Sequence, residues 1–200
     1  MEHQHNNQVD LDRRFAIIWL DTHISVPENN RVMKREFQAN LVEVAAVPPE
    51  PHDPINDLIC AIREYAAPIE FVVTPQEAVN LIRQRLDLHR VILISSASLG
   101  RSVVPLIREN QFNVELYYIF CGHIDAHREW VAQCVGDGLN MQIFNHQAHL
   151  LVKLCRDMSQ ILAETGNGYM RRGRSDTAAR YLEYADRLAA RAALHDRPRP

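Results

Sequence analysis

The chain has 200 residues, of which 46% are hydrophobic, and a formal net charge of −3. That length suits one globular domain with a small appendage, and that apolar fraction excludes global disorder. No apolar run approaches the roughly eighteen residues of a membrane span, and residues 1–8 are polar where a secretory signal would be apolar. We therefore expect a cytoplasmic protein that does not bind membranes.

The spacing of the cysteines and the distribution of charge exclude some kinds of binding site. The four cysteines lie far apart and form no Cys-x-x-Cys pair, which argues against a zinc ribbon or a thioredoxin-type site. We predict no bound metal and no cofactor. Residues 166–200 hold eight arginines and four acidic residues, so this tail suits an acidic partner. It lacks the dense basic block with interleaved aromatic residues that marks a nucleic-acid surface, and we expect no nucleic-acid binding.

Five apolar runs predict strands, and helical patterns separate them. In chain order, the strands are expected at 14–20, 69–73, 90–95, 114–121 and 141–145. Helices are expected at 29–45, at 54–66, from residue 75, and at 100–110, 127–134 and 146–164. Residues 1–12 have the composition of a disordered lead-in, and the four prolines within 47–54 indicate a surface loop.

One helix start is strongly marked. Thr74 is a suitable N-cap, Pro75 suits the first helical turn, and Glu77 stands at the third position of a capping box.

The strand runs are almost continuously apolar rather than alternating, as at 15–20 and 91–94. Strands buried on both faces of a parallel sheet have this pattern. Right-handed βα crossovers leave few topologies for five such units. We predict an α/β fold with a doubly wound, five-stranded, mostly parallel sheet in the order 2-1-3-4-5, followed by a C-terminal helical hairpin.

The predicted organisation is a sheet domain at 13–164, a hairpin at 165–195 and a tail at 196–200. In the hairpin, Ala178, Leu182 and Ala185 have the spacing found in the second helix of a tetratricopeptide repeat. Tyr169 and Gly173 resemble the end of its first helix and its turn. A single hairpin cannot bury its own apolar face, so it must pack on the domain or on a partner. The simpler alternative is a C-terminal helix docked on the sheet domain.

Polar residues follow the first, third and fourth predicted strands. Because the carboxyl ends of parallel strands meet at one edge, a ligand crevice is expected there. The candidate ligand-binding residues are Asp21, Ser95, Ser96, Ser98, Gly100, Arg101 and His123. Backbone N–H groups near 99–102, with the serine hydroxyls and the guanidinium, would converge on a small anion or a nucleotide.

Two other chemistries compete at this edge. Ser98 lies in a segment that differs by one residue from the Gly-x-Ser-x-Gly nucleophile elbow, with His123 or His146 as its base. A zinc site is the second alternative, built from His123, His127, His146 and His149 with Cys121 and Asp125 nearby, because imidazole and thiolate ligands suit zinc. Helix capping and packing at the core margin are structural roles for the same residues. We assign no catalytic residue and no metal ligand.

Several short segments carry a resemblance to a known module. They are Trp19-Leu20-Asp21, Ile94-Ser95-Ser96-Ala97-Ser98-Leu99-Gly100, Val104-Pro105-Leu106-Ile107, Tyr118-Ile119-Phe120-Cys121-Gly122 and His127-Arg128-Glu129-Trp130. Together they resemble a receiver-like, flavodoxin-like module found ahead of tetratricopeptide or ADP-ribosyltransferase regions in animal multidomain proteins. The resemblance covers about residues 13–160, and the chain departs from it at Ser96 and at 47–54. It brings no activity, so it implies no catalytic residue.

More broadly, the chain is similar to receiver domains of two-component signalling. Asp21 matches an acidic residue after the first strand of a receiver. Ser95 or Ser96 stands where a receiver has its phospho-acceptor aspartate, and Asn145 and His146 stand where it has a lysine. Without that aspartate no aspartyl-phosphate forms, so the resemblance implies a pseudo-receiver. TIR-type domains share the topology, but the chain lacks their Ser-x-Trp-Cys segment.

Two classes of function remain. The first is a non-enzymatic signalling or scaffold module that binds a protein partner or a second copy of itself. The second is a small enzyme, or a nucleotide or anion binder, that uses the carboxyl edge of the sheet. We expect the first, because the sequence contains no complete catalytic constellation and fold alone implies no reaction.

Overall fold

The computed structural model describes residues 14–22 and 54–196. Its strands are β1 (Arg14–Leu20), β2 (Ile69–Val72), β3 (His89–Ser96), β4 (Val114–Phe120) and β5 (Met141–Phe144). Its α-helices are α1 (Pro54–Tyr65), α2 (Pro75–Arg85), α3 (Ala97–Glu109), α4 (Arg128–Gly136), α5 (Gln147–Arg171) and α6 (Ser175–His195). A 3-10 turn at Ile124–Ala126 precedes α4.

Some predicted segments lie outside the described residues: the lead-in at 1–12, the helix at 29–45, the loop through residue 53 and the end of the tail at 197–200. Among the described helices, none is both long enough and apolar enough to cross a membrane.

The five strands form one all-parallel sheet in the order β2-β1-β3-β4-β5, which confirms the predicted doubly wound α/β fold. The register aligns the carboxyl ends of the central strands, because Leu20 pairs with Ser95 and Ser95 pairs with Ile119. The residues that follow these strands therefore meet at one edge, as expected for parallel strands.

Helices cover both faces of the sheet. Ile17 and Trp19 point to the layer formed by α1, α5 and α6. Ile18 and Leu20 point to the opposite layer, formed by α2, α3 and α4. Since successive side chains alternate between two apolar layers, every position of the strand has to be apolar. This explains the continuous apolar runs in the sequence.

The predicted capping box at the start of α2 is present. Thr74 Oγ1 accepts a hydrogen bond from the Glu77 N–H at 3.2 Å, and Glu77 Oε2 accepts one from the Thr74 N–H at 3.2 Å. These reciprocal bonds satisfy backbone donors that have no partner inside the helix, which is why the start of α2 could be predicted.

Two other helix bounds differ from the predictions. Helix α3 begins at Ala97, immediately after β3, and not near residue 100. Helix α5 runs to Arg171 without a break at 164. The glycines at 166 and 168 weaken the helical pattern in the sequence. In the structure, Gly166 lies in the contact with α6, and this packing compensates for its low helix propensity.

The C-terminal helical pair is confirmed, and α5 and α6 pack along their length. Ala178 and Ala185 are buried, and Leu182 lies against Gly166. The rings of Tyr169 and Tyr181 stack with centroids 5.3 Å apart.

The helical pair also docks on the sheet domain, mainly through α1. Asp57 on α1 accepts hydrogen bonds from Arg191 at 3.0 Å and from His195 Nε2 at 2.6 Å, and both donors belong to α6. The rings of Tyr65 and Tyr184 lie 5.8 Å apart. The apolar face of the hairpin is therefore buried within this chain, one of the two arrangements that the sequence left open.

A buried hydrogen bond links the middle of the sheet to α5. Tyr118, in the interior strand β4, is fully buried, and its hydroxyl donates to Asp157 Oδ2 at 2.6 Å. Lys153, one turn earlier on α5, pairs with the other oxygen of Asp157. Burial, and then the hydrogen bond to Asp157, raise the pKa of Tyr118 far above its usual value, so the phenol stays a donor.

Replacing Gly166 with valine tests the close approach of α5 and α6. A Cβ at Gly166 would lie 3.0 Å from Leu182 Cγ and 3.2 Å from the Ala178 carbonyl oxygen. Valine overpacks this contact, and we expect the free energy of unfolding to fall by about 1–3 kcal/mol. Gly136→Val is the matched control, because α4 ends there in open space, and it should change stability by less than about 0.5 kcal/mol. Urea unfolding measures the stability of both variants. Equal losses in the free energy of unfolding would show that α5 and α6 do not approach closely at Gly166.

Tyr118→Phe tests the link between β4 and α5. Removing a donor to a charged acceptor should lower the free energy of unfolding by about 1.5–3 kcal/mol. The control is Tyr117→Phe, because Tyr117 is buried on the opposite face and its hydroxyl has no hydrogen-bond partner among the described residues. That variant should lose less than about 1 kcal/mol. Thermal unfolding of the two variants measures both losses of stability. If Tyr118→Phe loses no more free energy of unfolding than Tyr117→Phe, the hydrogen bond does not link β4 to α5.

Candidate functional site

The candidate site is the carboxyl edge of the sheet. Backbone pairing continues just beyond the strands: the Asp21 N–H donates to the Val72 carbonyl at 3.0 Å, and the Cys121 N–H donates to the Phe144 carbonyl at 2.9 Å. Asp21 is half-buried at this edge, next to the end of β3. The structure therefore places the residues that end the central strands side by side, as predicted.

Ser95 lies under this edge and not on it. The residue is fully buried, between Leu20 on one neighbouring strand and Ile119 on the other. Its hydroxyl donates to the carbonyl oxygen of Ser96 at 3.0 Å. A buried hydroxyl needs such a partner, and here the adjacent backbone provides it. Ser95 therefore contributes to the fold, and a ligand at the edge would not reach it.

Ser96 and Ser98 form the accessible hydroxyl pair of the site. Ser96 is half-buried at the N-cap position of α3, with extended backbone angles (φ −63°, ψ 150°). Its Oγ lies 3.4 Å from Oγ of the exposed Ser98, and it makes no side-chain capping bond. Ser98 is the second residue of a regular helix, whereas a nucleophile elbow places its serine on a strained turn. Neither hydroxyl is hydrogen-bonded to a histidine among the described residues.

Gly100 and Arg101 are engaged by Trp130. A Cβ at Gly100 would lie 3.0 Å from the Trp130 ring and 3.2 Å from Ile119 Cδ1, so only glycine fits there without displacing a neighbour. The exposed guanidinium of Arg101 lies 5.0 Å from the centre of the same ring, a cation–π distance. Trp130 therefore fixes the first turn of α3 against α4. The sequence indicates a packing role for Trp130, but it does not indicate these two partners.

The histidines do not form a helical pair. His123 is exposed and precedes the 3-10 turn, while α4 begins only at Arg128. His123 and His127 therefore do not share a helix face at the i, i+4 spacing. The rings of His146 and His149 meet edge to face, 5.2 Å apart. Among the described residues, no three His, Cys, Asp or Glu side chains are close enough together to hold a metal ion.

The cysteine at this edge is shielded. Cys121 is 8% exposed, and burial raises the pKa of its thiol, while a hydrogen bond from the His123 backbone acts in the opposite direction. A thiol whose pKa is raised is a weaker nucleophile at neutral pH, because less of it is thiolate. Beyond β5, Asn145 and His146 are exposed at the same edge.

The fold and the edge define a class of protein: a doubly wound α/β domain with the strand order of flavodoxin-like proteins, and with a helical pair docked on one face. No protein-family model, curated protein or solved structure matches the chain.

Replacing Ser95 or Ser96 with aspartate tests whether each position is buried or open to solvent. Ser95→Asp buries a carboxylate between two apolar layers, and we expect a loss of about 3 kcal/mol or more in the free energy of unfolding at pH 7. Ser96→Asp places the carboxylate at the N-cap of α3 and should be neutral or stabilising by up to about 1 kcal/mol. Urea unfolding of both variants measures the difference. A tolerated aspartate at Ser95 would show that this position is open to solvent.

Proposed function

We propose that this chain is a non-enzymatic signalling or scaffold module, similar to a pseudo-receiver, that binds a protein partner at the carboxyl edge of its sheet. The observation that carries the proposal is the environment of Ser95. Ser95 or Ser96 stands where a receiver has its phospho-acceptor aspartate, so neither candidate is a carboxylate. Ser95 is buried and its hydroxyl donates to the Ser96 carbonyl. The end of the third strand thus serves the packing of the sheet.

The remaining polar groups at the edge suit recognition by a protein. Ser98, Arg101 and His123 are exposed. Ser98 and Arg101 lie in the first turn of α3, which packs closely on Ile119 and Trp130 at Gly100. Arg101 is held over Trp130, so little side-chain entropy remains to be lost when a partner binds it. A small exposed polar surface with one pre-oriented arginine fits a moderate-affinity protein contact.

A photo-crosslinking amino acid introduced at Ser98 tests this surface in cells. The matched control has the same amino acid at Glu109, which is exposed at the other end of α3. We expect a covalent complex with one protein, or with a second copy of this chain, from position 98 and none from position 109. Mass spectrometry identifies the captured chain, and calorimetry with the purified pair then measures its affinity.

Arg101→Glu should weaken that purified complex at least about tenfold, which corresponds to about 1.4 kcal/mol. Glu109→Lys should leave the affinity unchanged, because it lies away from the edge. If the partner is a second copy, sedimentation velocity replaces calorimetry, and the charge reversal should shift the equilibrium toward monomer. Crosslinks of equal yield from positions 98 and 109, or an affinity that is insensitive to Arg101→Glu, would refute the proposal.

One observation favours a second candidate, a binder of small anions or nucleotides. Helix α3 begins without a side-chain capping bond, so its first N–H groups are directed to the edge near Ser98 and Arg101. A ligand present at 100 times its dissociation constant adds about 2.7 kcal/mol of stability. For a domain of this size that corresponds to roughly 5–11 °C in Tm.

A thermal-shift panel separates the two candidates. It contains phosphate, nucleotides, NAD and divalent cations, and it is run on the wild-type chain and on Ser98→Ala. A scaffold should show no shift above about 1 °C with any of them. A shift of several degrees that Ser98→Ala abolishes would favour the anion or nucleotide binder over the scaffold.

A further inference from the structure

The turn between α5 and α6 concentrates positive charge that no carboxylate of residues 14–22 and 54–196 pairs. Three of the four residues at 171–174 are arginines, and all four are exposed. Arg171, Arg172 and Arg174 have no ion pair, hydrogen bond or ring contact with any described residue through their guanidinium groups. Most other arginines of the described chain are paired with carboxylates: Arg85, Arg90, Arg108, Arg128, Arg156, Arg187 and Arg191.

A serine follows these arginines directly. Ser175 is exposed and is the first residue of α6, with arginines one, three and four positions before it. Gly173 adopts a left-handed conformation (φ +72°) that reverses the chain, so the segment lies at the tip of the hairpin. Helix α6 begins without a side-chain capping bond, and the Ala178 N–H donates to the Arg174 carbonyl at 3.0 Å to close its first turn. The exposed side chains of Ser175 and of the arginines before it can be reached by a second protein.

We propose that Ser175 is a phosphorylation site for a protein kinase that recognises arginines on the amino-terminal side of its substrate serine. Such a kinase binds these guanidinium groups with carboxylates, through bidentate and charge-assisted hydrogen bonds. Arginines that form no ion pair with the described residues suit this role, because none of those carboxylates has to be displaced before the kinase binds.

ATP bound to the kinase is the phosphoryl donor in the transfer to Ser175. Ser175 Oγ attacks the γ-phosphorus of ATP held by the kinase, and the bond from that phosphorus to the β,γ-bridging oxygen breaks. ADP leaves, and the hydroxyl proton passes to the catalytic aspartate of the kinase. The product carries a charge of about −1.5 to −2 beside three arginines, so it neutralises most of the local positive charge. Ser175 phosphorylation would thus weaken any contact of this turn with an acidic partner.

Two other hydroxyl residues, Ser159 and Thr177, also have an arginine three positions before them, but they are less accessible than Ser175. Ser159 follows Arg156, but it lies in the middle of α5, and its hydroxyl donates to the Ala185 carbonyl at 2.7 Å. Thr177 follows Arg174, but it is half-buried in the first turn of α6. Ser98 is exposed but has no arginine in the preceding segment, so it serves as a matched control.

The test incubates the full chain with ATP, Mg²⁺ and a purified arginine-directed serine/threonine kinase, followed by intact and peptide mass spectrometry. We expect one added phosphate, about 80 Da, at Ser175. Ser175→Ala should abolish it and Ser98→Ala should not. Arg172→Gln should lower kcat/KM roughly tenfold or more, since it removes a charge-assisted contact. Arg180→Gln, at an exposed arginine beyond the site on α6, should leave kcat/KM unchanged.

Thermal melts of all four variants should match the wild-type chain, since none of these side chains is buried. The proposal is overturned if the phosphate is found on Thr177 or Ser159 instead. It is also overturned if the chain gains no phosphate while the same kinase phosphorylates an arginine-containing control peptide, or if Arg172→Gln and Arg180→Gln behave alike.

Discussion

Burial of the central strands on both faces is the constraint on which the rest of the structure depends. Side chains of β1, β3 and β4 alternate between two apolar layers, so a polar group there needs a partner inside the protein. Ser95 meets this need through the neighbouring carbonyl, and Tyr118 meets it through Asp157 on α5. The other candidate polar residues follow the ends of the strands, and the parallel register places these ends at one edge of the sheet. The candidate site is thus a consequence of the packing.

The position of the hairpin follows from the same packing. Asp157, which accepts the Tyr118 hydrogen bond, lies on the helix that also contributes Gly166 to the contact with α6. Helix α6 then returns along the sheet domain and ends at Asp57 of α1. One helix, α5, therefore carries contacts from the middle of the sheet to the tip of the hairpin. This arrangement explains why α5 is longer than its apolar pattern within the sheet domain requires.

Sequence reasoning predicted the elements whose pattern is local. The strand runs, their order and the capping box of α2 follow from apolar continuity, crossover handedness and three marked residues. The start of α3 and the length of α5 were predicted wrongly because tertiary contacts decide them. Ala97 is helical because it is buried against the sheet, and Gly166 is helical because it touches Leu182. At the edge, the strand-end positions were predictable, but which serine is buried depends on where the neighbouring strands end. Ser95 is flanked by Leu20 and Ile119, whereas Ser96 lies beyond β1 at the start of α3. The sequence left Ser95 and Ser96 undistinguished.

Ser98 and Ser175 lie on different elements of the fold. Ser98 is in the first turn of α3, which follows β3 at the carboxyl edge, whereas Ser175 begins α6, after the 25-residue helix α5. The two serines therefore have different neighbours: Ser98 is close in sequence to Arg101, which lies over Trp130, and Ser175 follows three arginines that form no ion pair with the described residues. Ser98 and Ser175 share no contact among the described residues, so the effects of substitutions at the two positions should be additive.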